Sequence, residues 1–437
     1  MDLLPCGHAA YAGPGRMCRH LLGDDSDEDH VRLLTGRGLE YDMCCQACDK
    51  GADQGHPVDL LVACEGCVSR CAETDWSIVG WRGTPGIGQR PEPFDTTVRE
   101  TPLPVDVVDF VPVADSGLAW LLLDRDGRIG RFDADTGIWT VLAETSVPAE
   151  PDHEPWAGHE LRRRLHAGAD GRFVAVVNDF GRHGQVLDLR SGAVTLVLNG
   201  GDHRPDTVPL SLAMLEYQGR VMVMHRTAWN RLDISDAATG ELLTAREPTS
   251  YTNGGPRPEH YLDYFHGALC LSPTGRYVLD DGWVWSPVGI PHVWSVHRWL
   301  EDNVWESEDG RSLRGLAQRA YYWNNPMCWL DDQRLVVAGI GGDEEAMLAG
   351  VRVFDAETGR ETAAFAGPTG ALFADGRRLY AAAATGLEVW DPATGERTGA
   401  VPGFVPTRHH PRAGELASAD GLVLRRWRTP CEPTLAS

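Results

Sequence analysis

The side chains best suited to chemistry are crowded at the start of this sequence. Eight of its eleven cysteines fall within the first 71 residues: Cys6, Cys18, Cys44, Cys45, Cys48, Cys64, Cys67 and Cys71. Cys45-x-x-Cys48 is followed, after fifteen residues, by Cys64-x-x-Cys67. A Cys-x-x-Cys turn presents two sulfurs to one tetrahedral ion, and two such turns close the shell of a zinc ion. The spacing therefore predicts a zinc site at Cys45, Cys48, Cys64 and Cys67. Cys6-x-His8 and Cys18-x-His20 supply a second candidate quartet, with ligands two apart. Four pairs can join sequentially or interleave, and the sequence does not choose. Cys44 and Cys71 stand beside them as substitute ligands and His56 lies between the knuckles, although Cys44 also reads as a small buried residue. Four protein ligands leave no open position for water, so the expected role is structural. Such an ion would stabilise a segment too small to own a hydrophobic core.

Other reactive patterns are sparse. The run Asp24-Asp25-Ser26-Asp27-Glu28-Asp29 lacks the glycine and terminal glutamate of a calcium loop and reads as a solvated segment. There is no nucleophile elbow, phosphate loop, metalloprotease helix or dinucleotide fingerprint. Gly339-Ile340-Gly341-Gly342 has no helix-forming sequel, so it reads as a turn. His225, His266, His292 and His409-His410 fall in separate units and could converge at a central channel, but convergence cannot be read from spacing, and scattered satisfied or solvent-facing histidines are the expectation. Fifteen tryptophans are expected mainly to fill space between packed sheets. The segment Tyr321–Pro326 and the group Trp283, Trp285, Trp294, Trp299 and Trp305 are the candidates for an exposed aromatic surface.

Composition narrows the partners. The 437 residues are 42% hydrophobic, with 63 acidic and 40 basic side chains and a formal net charge of −23. That charge repels phosphate backbones, so nucleic acid is not an expected partner. No apolar stretch is long enough for a membrane span, and the first residues lack the pattern of a secretory signal. The expectation is a cytoplasmic protein with a protein partner. Clustered cysteines in that compartment read as metal ligands, not disulfides.

The rest of the chain alternates short Val/Leu/Ile/Trp-rich runs with Gly- and Asp-containing turns, which is strand chemistry. One turn recurs seven times, ending at Gly117, Gly171, Gly219, Gly275, Gln333, Gly376 and Gly421, at separations of 43 to 58 residues. Asp-x-x-Thr-Gly turns recur in phase with it at Asp133–Gly137, Asp236–Gly240, Asp355–Gly359 and Asp391–Gly395, with a variant at Asp188–Gly192. Periods near 40–50 with several strands per unit point to propeller blades. The expected fold is all-β: a seven-bladed β-propeller over 76–437, preceded by a zinc-binding module over 1–75. Only sixteen residues follow Gly421, so Trp76–Trp81 and Val98–Pro102 are expected to supply closing strands to the last blade.

Leu271–Val278 and Leu387-Glu388-Val389-Trp390-Asp391 resemble the two halves of a repeat from the WD-repeat-like β-propeller superfamily. The Gly-His pair of that family is absent, and Trp-Asp stands in place only in the sixth unit. The cysteine knuckles resemble those of zinc ribbons and treble clefs. The propeller resemblance implies a protein-interaction scaffold. Two rival readings are a propeller lyase or hydrolase acting at the central channel, and a thiol redox sensor built on Cys44, Cys45 and Cys48.

Overall fold

The computed structural model describes residues 4–7, 12–22, 30–33, 41–54, 56–64, 67, 87–113, 118–150, 159–169, 171–247, 256–285 and 287–430. Strands dominate, and the longest helix among them, Gln46–Asp53, has eight residues. None is long and apolar enough to cross a membrane.

The cysteine-rich segment forms one four-stranded sheet. Ala12–Cys18 lies between Tyr41–Cys45, which it pairs in parallel, and Leu60–Cys64, which it pairs antiparallel. His30–Leu33 adds an edge to Tyr41–Cys45. Among the described residues, the core of this unit is Met17, Leu21, Met43, Ala63 and six cysteines. So small an apolar core cannot offset the ordering entropy of the segment by itself.

Seven sheets follow among the described residues, antiparallel but for one short edge pairing, and built mostly as four-strand meanders. The first runs Val107–Pro112, Ala119–Asp124, Arg128–Asp133 and Trp139–Glu144, and the second Arg162–Ala167, Phe173–Asp179, His183–Asp188 and Ala193–Asn199. The Asp-x-x-Thr-Gly turns follow the third strand of their sheets, and lead into a fourth in all but the third sheet, where Ser235 and Leu242 form a single bridge. In each the aspartate carboxylate accepts backbone N–H bonds, as Asp133 does from Thr136 at 2.8 Å. The glycine donates back to the aspartate carbonyl at 2.8–2.9 Å with φ between +69° and +73°. A side chain there would be strained, which is why the motif ends in glycine.

Strand alternation explains how the sheets stack. In the second sheet Val174 and Val176 pack toward the first, while Phe173, Ala175 and Val177 pack toward the third. A strand buried on both faces is apolar on both, as Phe173–Val177 is here. The same sharing continues from sheet to sheet. It ends with Ala417 and Leu424 of the seventh sheet packed with Phe110, Trp120 and Phe132 of the first. The packing closes on itself, and first strands of successive sheets meet around the middle.

The seventh sheet differs from its expected layout. Arg408–His410, Glu415–Asp420 and Val423–Arg428 are three strands of its own, so the Ala-Asp-Gly turn at Gly421 joins the second strand to the third. Its outer strand is Arg99–Pro102, antiparallel to Val423–Arg428. Gly88–Gln89 pairs in parallel with Glu396–Pro402 at the edge of the sixth sheet. Trp76–Trp81 and Gly117 lie outside the described residues. Thr101 pairs with Leu424, so Thr101→Pro inserts a residue that fits poorly beside a paired strand. The expected outcome is a lower melting temperature and concentration-dependent aggregation by light scattering.

The fourth sheet is the irregular one. Short strands at Val288–Gly289, Arg314–Gly315 and Arg319–Ala320 join the longer Phe265–Leu271, Tyr277–Val284 and His292–Ser295. Helices Val296–Glu301 and Glu306–Asp309 occupy the place of a tidy turn. Trp294 and Trp299 are fully buried there and meet edge to face at 5.9 Å.

Candidate metal centre and ring interior

The two Cys-x-x-Cys turns do not meet at one point. Cys45 and Cys48 lie with Cys18 and His20, and Cys64 and Cys67 lie with Cys6, the ligand atoms of each group within 4.8 Å of one another. The single quartet read from the spacing is thereby divided. The reason is the strand order: the parallel pairing of Ala12–Cys18 with Tyr41–Cys45 carries Cys18 to the start of the Gln46–Asp53 helix, while Leu60–Cys64 flanks the other side. His8 and Cys71 lie outside the described residues. Cys44 is buried in the module's core, and His56 lines a shallow cleft beside Cys48 together with His20 and Asp59.

Backbone amides support the sulfurs. Cys45 caps the helix, its Sγ accepting from the Cys48 amide at 3.5 Å; the Cys67 amide donates to Cys64 Sγ at 3.4 Å, and the Cys45 amide to Cys18 Sγ at 3.3 Å. Desolvation, then the neighbouring Cys45 and Cys18, push the Cys48 thiol up to about 12. A divalent cation would reverse that penalty. In a tetrahedral zinc site a sulfur at about 2.3 Å and a nitrogen at about 2.0 Å stand roughly 3.5 Å apart. His20 Nδ1 stands 3.2 Å from Cys48 Sγ and 3.5 Å from Cys45 Sγ. The first group thus fits a four-ligand zinc ion, and the second offers three sulfurs.

The ring interior holds charges that spacing alone did not single out. Asp109 of the first sheet accepts from the Leu165 amide of the second at 2.8 Å and pairs with Arg408 of the seventh, tying three sheets together. Asp179 pairs with Arg164 at 2.9 Å, and wholly buried Arg226 donates to the Gly181 carbonyl at 3.1 Å. Burial pulls the Arg226 guanidinium down to about 10 and pushes the Asp179 carboxyl up. Asp281 accepts from Arg319 at 3.0 Å and from the Asn325 amide at 2.9 Å. The readable signal was Asp280-Asp281 inside an otherwise apolar strand.

The histidines do not assemble as one group. His266 meets Asp280 at 2.6 Å, and His292 is in the same sheet, whereas His225 bonds Ser235 in the third and His409 and His410 are in the seventh. Burial draws the His225 imidazole down to about 4, against the opposing pull of Asp233. A folded pKa below the ordinary value near 6.5 stabilises the fold at and above neutral pH, and this is lost as pH falls from about 6.5 to about 4. His225→Gln is expected to flatten the stability profile across that window by on the order of 1–3 kcal/mol, read by denaturant titration at several pH values.

No known protein family matches the chain, and no curated protein does. Among solved structures, a chain of "Crystal Structure of Mitotic Checkpoint Complex" is similar at 12% identity, over 80% of this chain and 98% of that one, with a TM-score of 0.48.

Proposed function

We propose that this protein is a cytoplasmic protein-interaction scaffold, a seven-bladed β-propeller of WD-repeat-like type over residues 76–437 with a structural zinc module over 1–75. The observation that carries the reading is the closed packing, in which every sheet buries both faces against neighbours and the last meets the first. Such a body holds its connecting loops rigidly, which lowers the entropy lost when a partner binds. Cys18, His20, Cys45 and Cys48 would hold one zinc ion. Cys6, Cys64 and Cys67 would hold a second, with His8 as the fourth ligand. The net charge of −23 favours protein partners over nucleic acid.

The test is affinity purification from the native cell with the full chain and with a chain lacking residues 1–75, which keeps the Arg99–Pro102 strand. Partners lost only on truncation assign recognition to the zinc module, and partners retained assign it to the ring. Recovery of no protein partner by the full chain overturns the scaffold reading.

A further inference from the structure

The middle of the ring gathers positive charge in a protein whose net charge is −23. Arg162–Ala167, the first strand of the second sheet, carries Arg162, Arg164 and His166 at alternate positions, so all three leave the backbone on one face. Arg408 belongs to the seventh sheet, on the far side of the first. Its Nε donates to the Phe110 carbonyl at 2.8 Å and its fork pairs with Asp109, which carries the guanidinium across the first strand of the first sheet. There it lies close enough to Arg164 and Arg162 for both to oppose its charge. Guanidinium groups from two sheets that are not neighbours therefore share one space inside the ring.

Their acidic partners are too few. Asp109 serves Arg408, while Asp179 serves both Arg164, at 2.9 Å, and Arg162, at 3.6 Å. Burial also pushes the Asp179 carboxyl toward its neutral form, which weakens it as a counter-charge. The Arg162 and Arg164 side chains are 59% and 28% exposed, and their terminal nitrogens make no hydrogen bond among the described residues. The Phe180 ring, 5.7 Å from the Arg162 guanidinium, supports one face of that group and leaves its edge donors open.

His166 supplies a second, independent observation. Its Nε2 is buried without a hydrogen-bond partner, which costs about 1–3 kcal/mol when nothing compensates. Such atoms mark places where a bound molecule or ion completes the hydrogen bonding. Burial, then Arg164 and Arg408, draws the imidazole down to about 3, so the ring is neutral at physiological pH and adds a hydrogen-bonding group without adding charge. Guanidinium forks match the oxygens of phosphate, and their approach from two directions suits a tetrahedral anion better than the single edge of a carboxylate. An anion between the arginines would also relieve their mutual repulsion.

We infer that Arg162, Arg164 and Arg408, together with His166, hold a small phosphate-bearing molecule inside the ring. The inference does not depend on the scaffold reading.

The test titrates the full chain with inorganic phosphate, glycerol phosphate and succinate at constant ionic strength, read by calorimetry and by melting temperature. The two phosphates are expected to bind saturably and to raise the melting temperature, and succinate to bind more weakly. Arg162→Gln should weaken phosphate binding by roughly 10- to 100-fold, the loss of a charge-assisted bond. Its melting temperature without ligand should not change, because the side chain is more than half exposed. His166→Leu should also weaken binding, yet leave the ligand-free melting temperature equal or higher, since it removes an unpartnered buried nitrogen. A histidine with only a structural role would do the reverse. Arg425→Gln, on the Val423–Arg428 strand of the seventh sheet, controls for diffuse attraction and should leave affinity unchanged. No saturable phosphate binding, equal or tighter binding of succinate, unchanged affinity in Arg162→Gln and His166→Leu, or an equal loss in Arg425→Gln overturns the proposal.

Discussion

Cys18→Ser is expected to remove one zinc ion per chain and to unfold the four-stranded N-terminal sheet while the ring keeps its own melting transition. The argument is one of core size. Six of the ten buried residues described in that unit are cysteines, so on the zinc reading its stability comes largely from what the sulfurs would hold. Structural zinc contributes about 10–16 kcal/mol of apparent binding free energy in small peptides at neutral pH, far more than such a core could replace. The substitution also separates the two pairings. With Cys18 and His20 joined to Cys45 and Cys48, the first site has three sulfurs and one nitrogen. Cobalt substituted for zinc should then show at this site a charge-transfer band for three thiolates, and Cys18→Ser should abolish that site's contribution. A site of Cys45, Cys48, Cys64 and Cys67 would instead show four thiolates, untouched by Cys18→Ser. Elemental analysis of the same samples counts the ions, and strong chelation should reproduce the unfolding without any substitution.

The sequence announced different features with different clarity, for physical reasons. Asp-x-x-Thr-Gly turns were legible because their chemistry is local: the aspartate caps its own turn and the glycine takes a backbone conformation others resist. Alternation within strands was legible for the same reason. The partition of the metal ligands was not, because it depends on which strand lies beside Ala12–Cys18, a long-range fact. Ligand spacing fixes which sulfurs come as pairs but not which pairs meet. Gly421 illustrates a third case. Its Ala-Asp-Gly triplet is the same turn chemistry in a different place, between the second and third strands of its sheet, so a correct local reading gave the wrong phase. The fourth sheet hid its layout because its short strands and two helices follow no repeat.

Arg319→Met is expected to destabilise the ring by about 3–5 kcal/mol, the cost of leaving one partner of a buried pair uncompensated. Arg319 and Asp281 are 0% and 1% exposed and meet at 3.0 Å. Arg319 also donates to the Ala338 carbonyl at 3.0 Å, so one side chain joins the fourth sheet to the fifth. Asp281 in turn accepts from the Asn325 amide and holds the loop behind Trp323. Removing the guanidinium leaves a carboxylate that burial already pushes toward its neutral form, with water excluded. The double variant Arg319→Met/Asp281→Asn should recover much of the loss, because it removes the orphaned charge and keeps a side chain able to accept from Asn325. Denaturant unfolding of both variants measures the coupling directly. If the single substitution costs less than 1 kcal/mol, the pair is solvated in solution and the sheets are held by apolar packing alone. If the double variant is no better than the single, the cost lies in the lost Ala338 bond and not in the unpaired charge.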